Sequence, residues 1–445
     1  MTIEIHAGAV SQSRAEAQSG LRRVLTSAAI GQFVEWYDFV VYAYSAAIIA
    51  KLFFPNTDPT AALLATFAIY AVGFVMRPLG GFVFGSLGDR IGRRRVLSMV
   101  ILMMGAATLG IGLLPTYSQI GLLAPILLVV CRLVQGMSAA GETVGSNAFV
   151  AEHAPSERRG LYVGFTYSFA NLPPIVAALL VLLLTNVLSS DAYASWGWRI
   201  PFLLGGPLAL VGLYIRHKVD ESPAFKATQA ARNVATSPLR DAVRSQKQAM
   251  GFSFALAAFS SLGFYTLAGY FVSYLVGTVG LNSNAALISN SVALFVAFVT
   301  MIIGGYLSDR LGRKRILLTG LILNAVTCIP AYLIAAQGSL ATAILGQSLL
   351  AFSCGLFWGP VGIALLELFP TRTRYSASAI SYNLAYTIFG GTAPLIGTWL
   401  VLQSGNKLAP AIYMCAVSVA VLLVVMRIPE TYRSSLIHDE DLRRA

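Results

Sequence analysis

The sequence predicts an all-α membrane protein of twelve transmembrane helices, in two six-helix halves with both termini in the cytoplasm. Three observations predict it. Of 445 residues, 56% are hydrophobic and only 11% charged, with mean hydropathy +0.71; a soluble domain is nearer a quarter charged. Apolar runs of about 20 residues recur between short polar breaks, the length a helix needs to cross a bilayer. Finally, "GSLGDRIGRRRVL" at 85–97 returns as "GYLSDRLGRKRIL" at 305–317, identical at eight of thirteen positions and offset by 220 residues.

Residues 1–24 read as a polar cytoplasmic tail without a cleavable signal peptide. The apolar runs fall at 25–50, 62–86, 96–115, 118–143, 159–187 and 199–216, then at 249–278, 284–307, 316–337, 339–367, 375–402 and 407–428. They group into an N-terminal half (25–216) and a C-terminal half (249–428). A basic linker (217–248) with Pro223 and Pro238 joins them, and 429–445 form a cytoplasmic tail. Backbone in hydrocarbon must satisfy its own hydrogen bonds, so the spans are helices. Two six-span halves are a common transporter plan, with the substrate site near the midplane between them.

The formal net charge of +12 has a topological cause. Of 31 Lys and Arg, 26 fall in the termini, in breaks after even-numbered spans or at the span ends that border them; the exceptions are Lys51, Arg77, Arg132, Arg199 and Lys407. This is the positive-inside asymmetry. Short, dispersed, juxtamembrane basic clusters exclude nucleic acid as a partner. Cys131, Cys328, Cys354 and Cys415 lack metal or redox spacing, and the four His lie outside the spans or at their ends. No metal, no cofactor and no ATP-binding loop are expected. A membrane enzyme would need clustered Asp or His ligands, which the sequence lacks.

The repeated loop has a mechanical reading. Gly85, Gly88 and Gly92 let helices approach around a tight turn. Asp89 is placed to accept hydrogen bonds from a neighbouring helix N-terminus or to pair with an Arg. Arg90, Arg93, Arg94 and Arg95 suit acidic partners or lipid phosphates. The second copy repeats the frame with Gly305, Asp309, Arg310, Gly312 and Arg313. Together they read as latches made in one gate state and broken in the other. The plainer alternative is a set of basic residues that only fixes topology.

Five ionisable residues lie well inside the spans, all in the N-terminal half: Glu35, Asp38, Arg77, Arg132 and Glu142. A charge at the bilayer centre costs at least about 2.5–3.5 kcal/mol, so each needs a wet cavity or a partner. Three acids against two bases leave the set one proton short of neutral, which points toward proton coupling. Glu35 and Asp38 share a helix face, continued by Tyr42. Two neighbouring carboxylates in a low dielectric resist ionising together. They suit a proton pathway, or else a permanent salt bridge to Arg77 or Arg132. Arg77, followed by Pro78, suits a substrate carboxylate or a structural partner for Asp38. Arg132, Gln135, Ala139 and Glu142 form one stripe. Glu142 falls at the end of its apolar run, where a gate salt bridge and a proton role stand equal. Elsewhere the pore candidates are polar or aromatic: Tyr167, Asn171 near Pro173-Pro174, Tyr265, Tyr382, Asn383 and Tyr386.

These stretches carry a family likeness. The repeated loop resembles the signature of the major facilitator superfamily. "EWYDF" (35–39), "RPLGG" (77–81), "CRLVQG" (131–136), "AEHAPSERRG" (151–160), "WGWRIPF" (196–202) and "LFPTRTRYSASAISYNLAYTIFGGTAPL" (368–395) resemble its metabolite:proton symporter family. Ala140-Gly141 stands where a glycine pair is usual, and Gln32 where an Asn is often found. Members of that family are bacterial inner-membrane importers of 2-oxoglutarate, citrate, shikimate, proline and betaine. The resemblance implies a proton-coupled importer of a small organic acid, working by alternating access and driven by the proton gradient. Zwitterion uptake and proton-antiport efflux are the alternatives. Asp38, Glu35, Arg132 and Glu142 are then the proton-coupling candidates. Arg77, Arg132, Tyr42, Gln135, Asn171, Tyr265, Tyr382, Asn383 and Tyr386 are the substrate candidates.

Overall fold

The computed structural model describes residues 2–55, 59–230, 243–434 and 436, and the regular elements among them are helices. Ten of those helices are long and apolar enough to cross a bilayer. The first span is a bent pair, Gly20–Tyr44 and Ala46–Phe53, which turns by 62° at Ser45. Its helix begins at Thr2, within the stretch that reads as a polar tail. The second to sixth spans are Ala68–Ile91, Arg93–Leu113, Leu123–His153, Ser156–Val187 and Gly197–His217. The seventh to eleventh are Lys247–Val279, Ser283–Leu311, Arg313–Ala335, Leu340–Glu367 and Arg374–Ser404. The apolar helix Ala409–Val425 stands where the twelfth is expected. The linker contains a short helix, Pro223–Ala230; its residues 231–242 lie outside the described residues, as do 435 and 437–445 of the tail.

Helix starts follow local chemistry. Asn282 opens the eighth span, its side chain accepting the Ala285 N–H at 2.8 Å, and Ser339 opens the tenth by accepting the Thr342 N–H at 3.2 Å. Gly92 (φ 101°) and Gly312 (φ 100°) form the two tight turns of the repeated loop, in backbone conformations a side chain would strain. Pro78 cannot donate to the carbonyl four residues back, which is that of Phe74. The Thr387 hydroxyl of the eleventh span takes that carbonyl at 2.7 Å, so the proline creates a bond between halves.

Within each half, neighbouring spans pack closely: the third against the fourth and sixth, the tenth against the eighth and ninth. Between halves, the second span packs on the eleventh and the fifth on the eighth. Gly305 lies against Gly160 and Gly164 at the second of these seams, where no side chain fits. Among the described residues, π-helical turns interrupt the seventh span at Thr266–Tyr270 and the eleventh at Tyr386–Gly390, and a third, Leu275–Val279, ends the seventh. Such turns are rare and concentrate at functional sites. Their register leaves no trace in an apolar pattern.

The fourth span corrects one expectation. Glu142 is not near its end: the helix continues to His153, about 16 Å further at 1.5 Å per residue. The sequence "SNAFVAEH" looks like a polar exit, but Ser146, Asn147 and Glu152 are buried against neighbouring helices and His153 is half-buried.

Candidate functional site

The charged groups inside the N-terminal half are fully buried and sorted into partners. Arg77 donates to Glu35 at 2.9 Å, both carrying no exposed surface. The Thr143 hydroxyl also donates to Glu35, at 2.5 Å. Arg77 sits among the rings of Phe39, Phe74, Tyr386 and Trp36, 4.9–5.8 Å from their centroids. Its Nε and Nη1 have no hydrogen-bond partner among the described residues. Arg132 donates to Gln135 at 2.9 Å and to the Tyr70 carbonyl at 3.3 Å, and Gln135 donates to Thr108 at 2.6 Å. The rings of Tyr42, Tyr70 and Phe39 cover the Arg132 guanidinium. Tyr42 itself donates to the Thr66 carbonyl at 3.1 Å.

Glu35 and Asp38 do not form the shared pair their spacing suggests. Glu35 goes to Arg77 and the fourth span. Asp38 turns toward Thr108 and Arg132, and neither of its oxygens has a hydrogen bond of ordinary length. Glu142 meets Arg216 of the sixth span in a two-pronged ion pair, with Nη1 to Oε2 at 2.9 Å. This changes the charge count. Arg216 lies at the margin of its predicted span yet is only 2% exposed, so the buried set holds three acids and three bases. The imbalance of one proton disappears, and Asp38 is left as the poorly satisfied acid of the set.

Two cavities lie between the halves. One of about 250 Å³ is walled by Trp36, Phe39, Tyr44, Tyr70, Phe264 and Tyr265, with Ser273 and Ser283 near the ends of the seventh and eighth spans that are remote from the repeated loop. Deeper in, Trp36, Tyr167, Asn171, Ser260, Trp358 and Tyr386 surround a void of about 10 Å³, room for about one water. Trp36 and Phe264, 4.3 Å apart, belong to both walls and separate them. The hydroxyls of Tyr167 and Tyr386 meet across the halves at 2.9 Å, and Tyr382 stacks on Tyr386 at 4.0 Å. Around the void, the indole N–H groups of Trp36 and Trp358 and the amide oxygen of Asn171 are buried without partners among the described residues. Arg77 and Arg132 stand behind these aromatic walls. Asn383 donates to the carbonyls of Ala140 (2.9 Å) and Ala379 (2.8 Å), joining the eleventh span to the fourth.

On the side that the basic breaks assign to the cytoplasm, both repeated loops bridge the halves. Asp89 accepts from the backbone of Ser376 (2.8 Å) and Tyr375 (3.3 Å) and from the Ser376 hydroxyl (2.7 Å), at the start of the eleventh span. Asp309 accepts from the backbone of Gly160 (2.9 Å) and Leu161 (2.7 Å), at the start of the fifth. Arg93 holds Asp89 at 3.1 Å and Arg313 holds Asp309 at 2.6 Å. Gly85 packs against Ser376, while Arg90 and Arg310 face outward. Arg93 also donates to the Thr371 carbonyl of the other half at 2.9 Å, and Arg374 reaches Glu152 at 2.9 Å. The tail strap adds to this: the Leu436 carbonyl accepts from Thr371 and Arg374, and the Ser434 carbonyl from Arg159 at 3.0 Å.

Sequence reasoning missed several of these partners. Glu152 and Glu367 sit at equivalent places in "EHAPSERRG" and "ELFPTRTRY", a visible echo whose acids serve Arg93 and Arg313. Glu221-Ser222 and Glu430-Thr431 form another: each Glu caps the helix after its loop, and each hydroxyl donates to Glu152 or Glu367. The signal for both was in the repeat itself.

Comparison with known proteins agrees with this architecture. Residues 24–250 match the sugar (and other) transporter family and residues 254–441 the major facilitator superfamily. The glycine betaine/proline/ectoine/pipecolic acid transporter OusA of Dickeya dadantii (strain 3937) is 35% identical over 94% of this chain and 85% of its own. The proline/betaine transporter of Escherichia coli (strain K12) is 35% identical over 92% of this chain and 84% of its own. Among solved structures, the proton:xylose symporter XylE bound to 6-bromo-6-deoxy-D-glucose superposes with TM-score 0.80 at 19% identity, covering 94% of this chain and 98% of that one. XylE from E. coli in its inward-open conformation gives 0.68 at 18% identity, covering 95% and 99%. At those identities the structures speak to the fold. On its family matches, and on relatives aligned over more than nine-tenths of its length, the chain belongs to the major facilitator superfamily, as a multi-pass inner-membrane transporter.

Proposed function

We propose that this transporter takes up a small zwitterion together with a proton. The observation that carries the reading is the vestibule wall: six aromatic rings face it, and the buried arginines stand behind them. Ring faces attract a substituted ammonium, worth about 0.5–2 kcal/mol per contact. The unpartnered indole N–H groups of Trp36 and Trp358 are neutral donors suited to a carboxylate that already carries its own counter-charge. The relatives named for proline and betaine transport support the same class. A free organic acid is the second reading. It is favoured by one observation, the two unpartnered guanidinium nitrogens of Arg77. Counterflow in proteoliposomes separates the two. Glycine betaine or L-proline should exchange and 2-oxoglutarate and shikimate should not; exchange of the acids alone would reverse the assignment.

In this reading the two repeated loops close the cytoplasmic side while the vestibule admits substrate from the periplasm. Asp89 and Asp309 hold helix starts in the opposite half, so each must let go for the inward-facing state to form. Charge-assisted hydrogen bonds contribute about 1.5–3 kcal/mol each. Asp89→Ala should therefore shift the population toward inward-open about 10–100-fold. The check is the labelling rate of a cysteine placed at Ser378, a fully buried position, in a chain without its native cysteines. An unchanged rate would remove the latch role.

A further inference from the structure

A third cavity, of about 600 Å³, lies away from the transport path. It sits at the cytoplasmic ends of the second, third and sixth spans, beneath the linker helix Pro223–Ala230. Arg94, Arg95 and His217 line it together with Ile91, Met99 and Phe225. Arg94 is fixed in place: its side chain donates to the His217 carbonyl at 2.7 Å. Glu221, the acid in the wall, is already engaged. Its oxygens accept the backbone N–H groups of Arg93 and Arg94, both at 3.1 Å, and of Ser222 at 2.9 Å.

Arg95 differs from its neighbours. It is exposed, and its side chain makes no hydrogen bond or ion pair among the described residues. Directly below it on the same helix face, at i+4 and i+7, come Met99 (44% exposed) and Leu102 (42% exposed). An open cationic cavity thus runs straight into an apolar strip that faces the hydrocarbon.

We propose that this cavity binds an anionic phospholipid, its phosphate against Arg95 and Arg94 and one acyl chain along Met99 and Leu102. A zwitterionic lipid would bring an ammonium beside two guanidiniums and lose the attraction. The strip below Arg95 favours a lipid over a soluble phosphate, which has no use for an apolar wall. The site also touches the gate. Glu221 lines the cavity and caps the N–H of Arg93, whose side chain holds Asp89 and Thr371. A bound lipid steadies that corner and favours the closed cytoplasmic side.

The test is lipid binding to the delipidated full-length protein, followed by native mass spectrometry. The probes are phosphatidylglycerol, phosphatidylcholine and glycerol 3-phosphate. A juxtamembrane basic residue contributes about fivefold in affinity for an anionic surface. Phosphatidylglycerol should bind at least fivefold tighter than phosphatidylcholine, and Arg95→Ala should remove about fivefold of that preference. Arg315→Ala, the matching position of the second loop, should leave it intact. Arg95 is exposed, so the variant folds; Arg95→Glu should abolish the preference. Equal binding of the two lipids overturns the proposal, as does unchanged binding in both Arg95 variants. Equal losses in Arg95→Ala and Arg315→Ala would show unspecific surface charge, and glycerol 3-phosphate matching phosphatidylglycerol would show a soluble-anion site.

Discussion

Arg77→Ala is expected to abolish transport and to destabilise the protein by about 3–5 kcal/mol. The size follows from burial. Arg77 and Glu35 are both without exposed surface, and their contact at 2.9 Å is the ion pair that neutralises Glu35. Removing one partner strands the other charge in a low dielectric, which costs far more than the pair itself contributes. Thr143 remains as a donor to Glu35, but one hydroxyl cannot replace a guanidinium. The guanidinium also fills the space between Phe39, Phe74 and Trp36, so truncation leaves a hole as well. A double variant separates these effects. Glu35→Gln with Arg77→Gln leaves no buried charge at this point, and should recover most of the thermal stability lost in Arg77→Ala. It should not recover uptake. If Arg77→Ala kept both its unfolding midpoint and its transport rate, the pair would be neither a brace nor part of the pathway.

Asp38→Asn is expected to have the opposite profile: little loss of stability and complete loss of gradient-driven accumulation. Asp38 is 1% exposed and has no hydrogen bond of ordinary length, so the amide gives up little. Its neighbours explain the functional prediction. Arg132 is the nearby cation, and one aromatic layer, Phe39 and Tyr70, separates that cation from the vestibule. A carboxylate held behind a movable ring, with a cation but without a tight partner, can exchange a proton when the ring shifts. Asparagine carries none. Substrate exchange at equal pH should survive in Asp38→Asn, because it needs no net proton movement. Full accumulation in this variant would take Asp38 out of the coupling.

Much of the fold was legible because its cause is one-dimensional. Hydropathy and basic breaks mark spans wherever a helix must cross hydrocarbon, and the observed helices fall on the expected runs. The loop repeat located Asp89 and Asp309 because both halves solve the same problem with the same residues. What stayed hidden depends on folding the chain back on itself. Arg374 and Glu152 are 222 residues apart and meet only because the eleventh span packs on the second and fourth. Arg216 sat on a predicted boundary, where hydropathy cannot tell a lipid-facing anchor from a buried partner, and missing it made the charges look unbalanced. The i, i+3 spacing put Glu35 and Asp38 on one face correctly enough. A face more than 100° wide still serves two neighbours, and here it serves Arg77 on one side and Thr108 with Arg132 on the other.

The central claim is that substrate and proton move together. Its most direct test is proton flux in proteoliposomes of the wild-type protein, followed with a pH-sensitive dye trapped inside. Glycine betaine or L-proline added outside, with no imposed gradient, should acidify the lumen in proportion to solute taken up, and Asp38→Asn should give no acidification. Solute uptake without any change in internal pH would contradict the account.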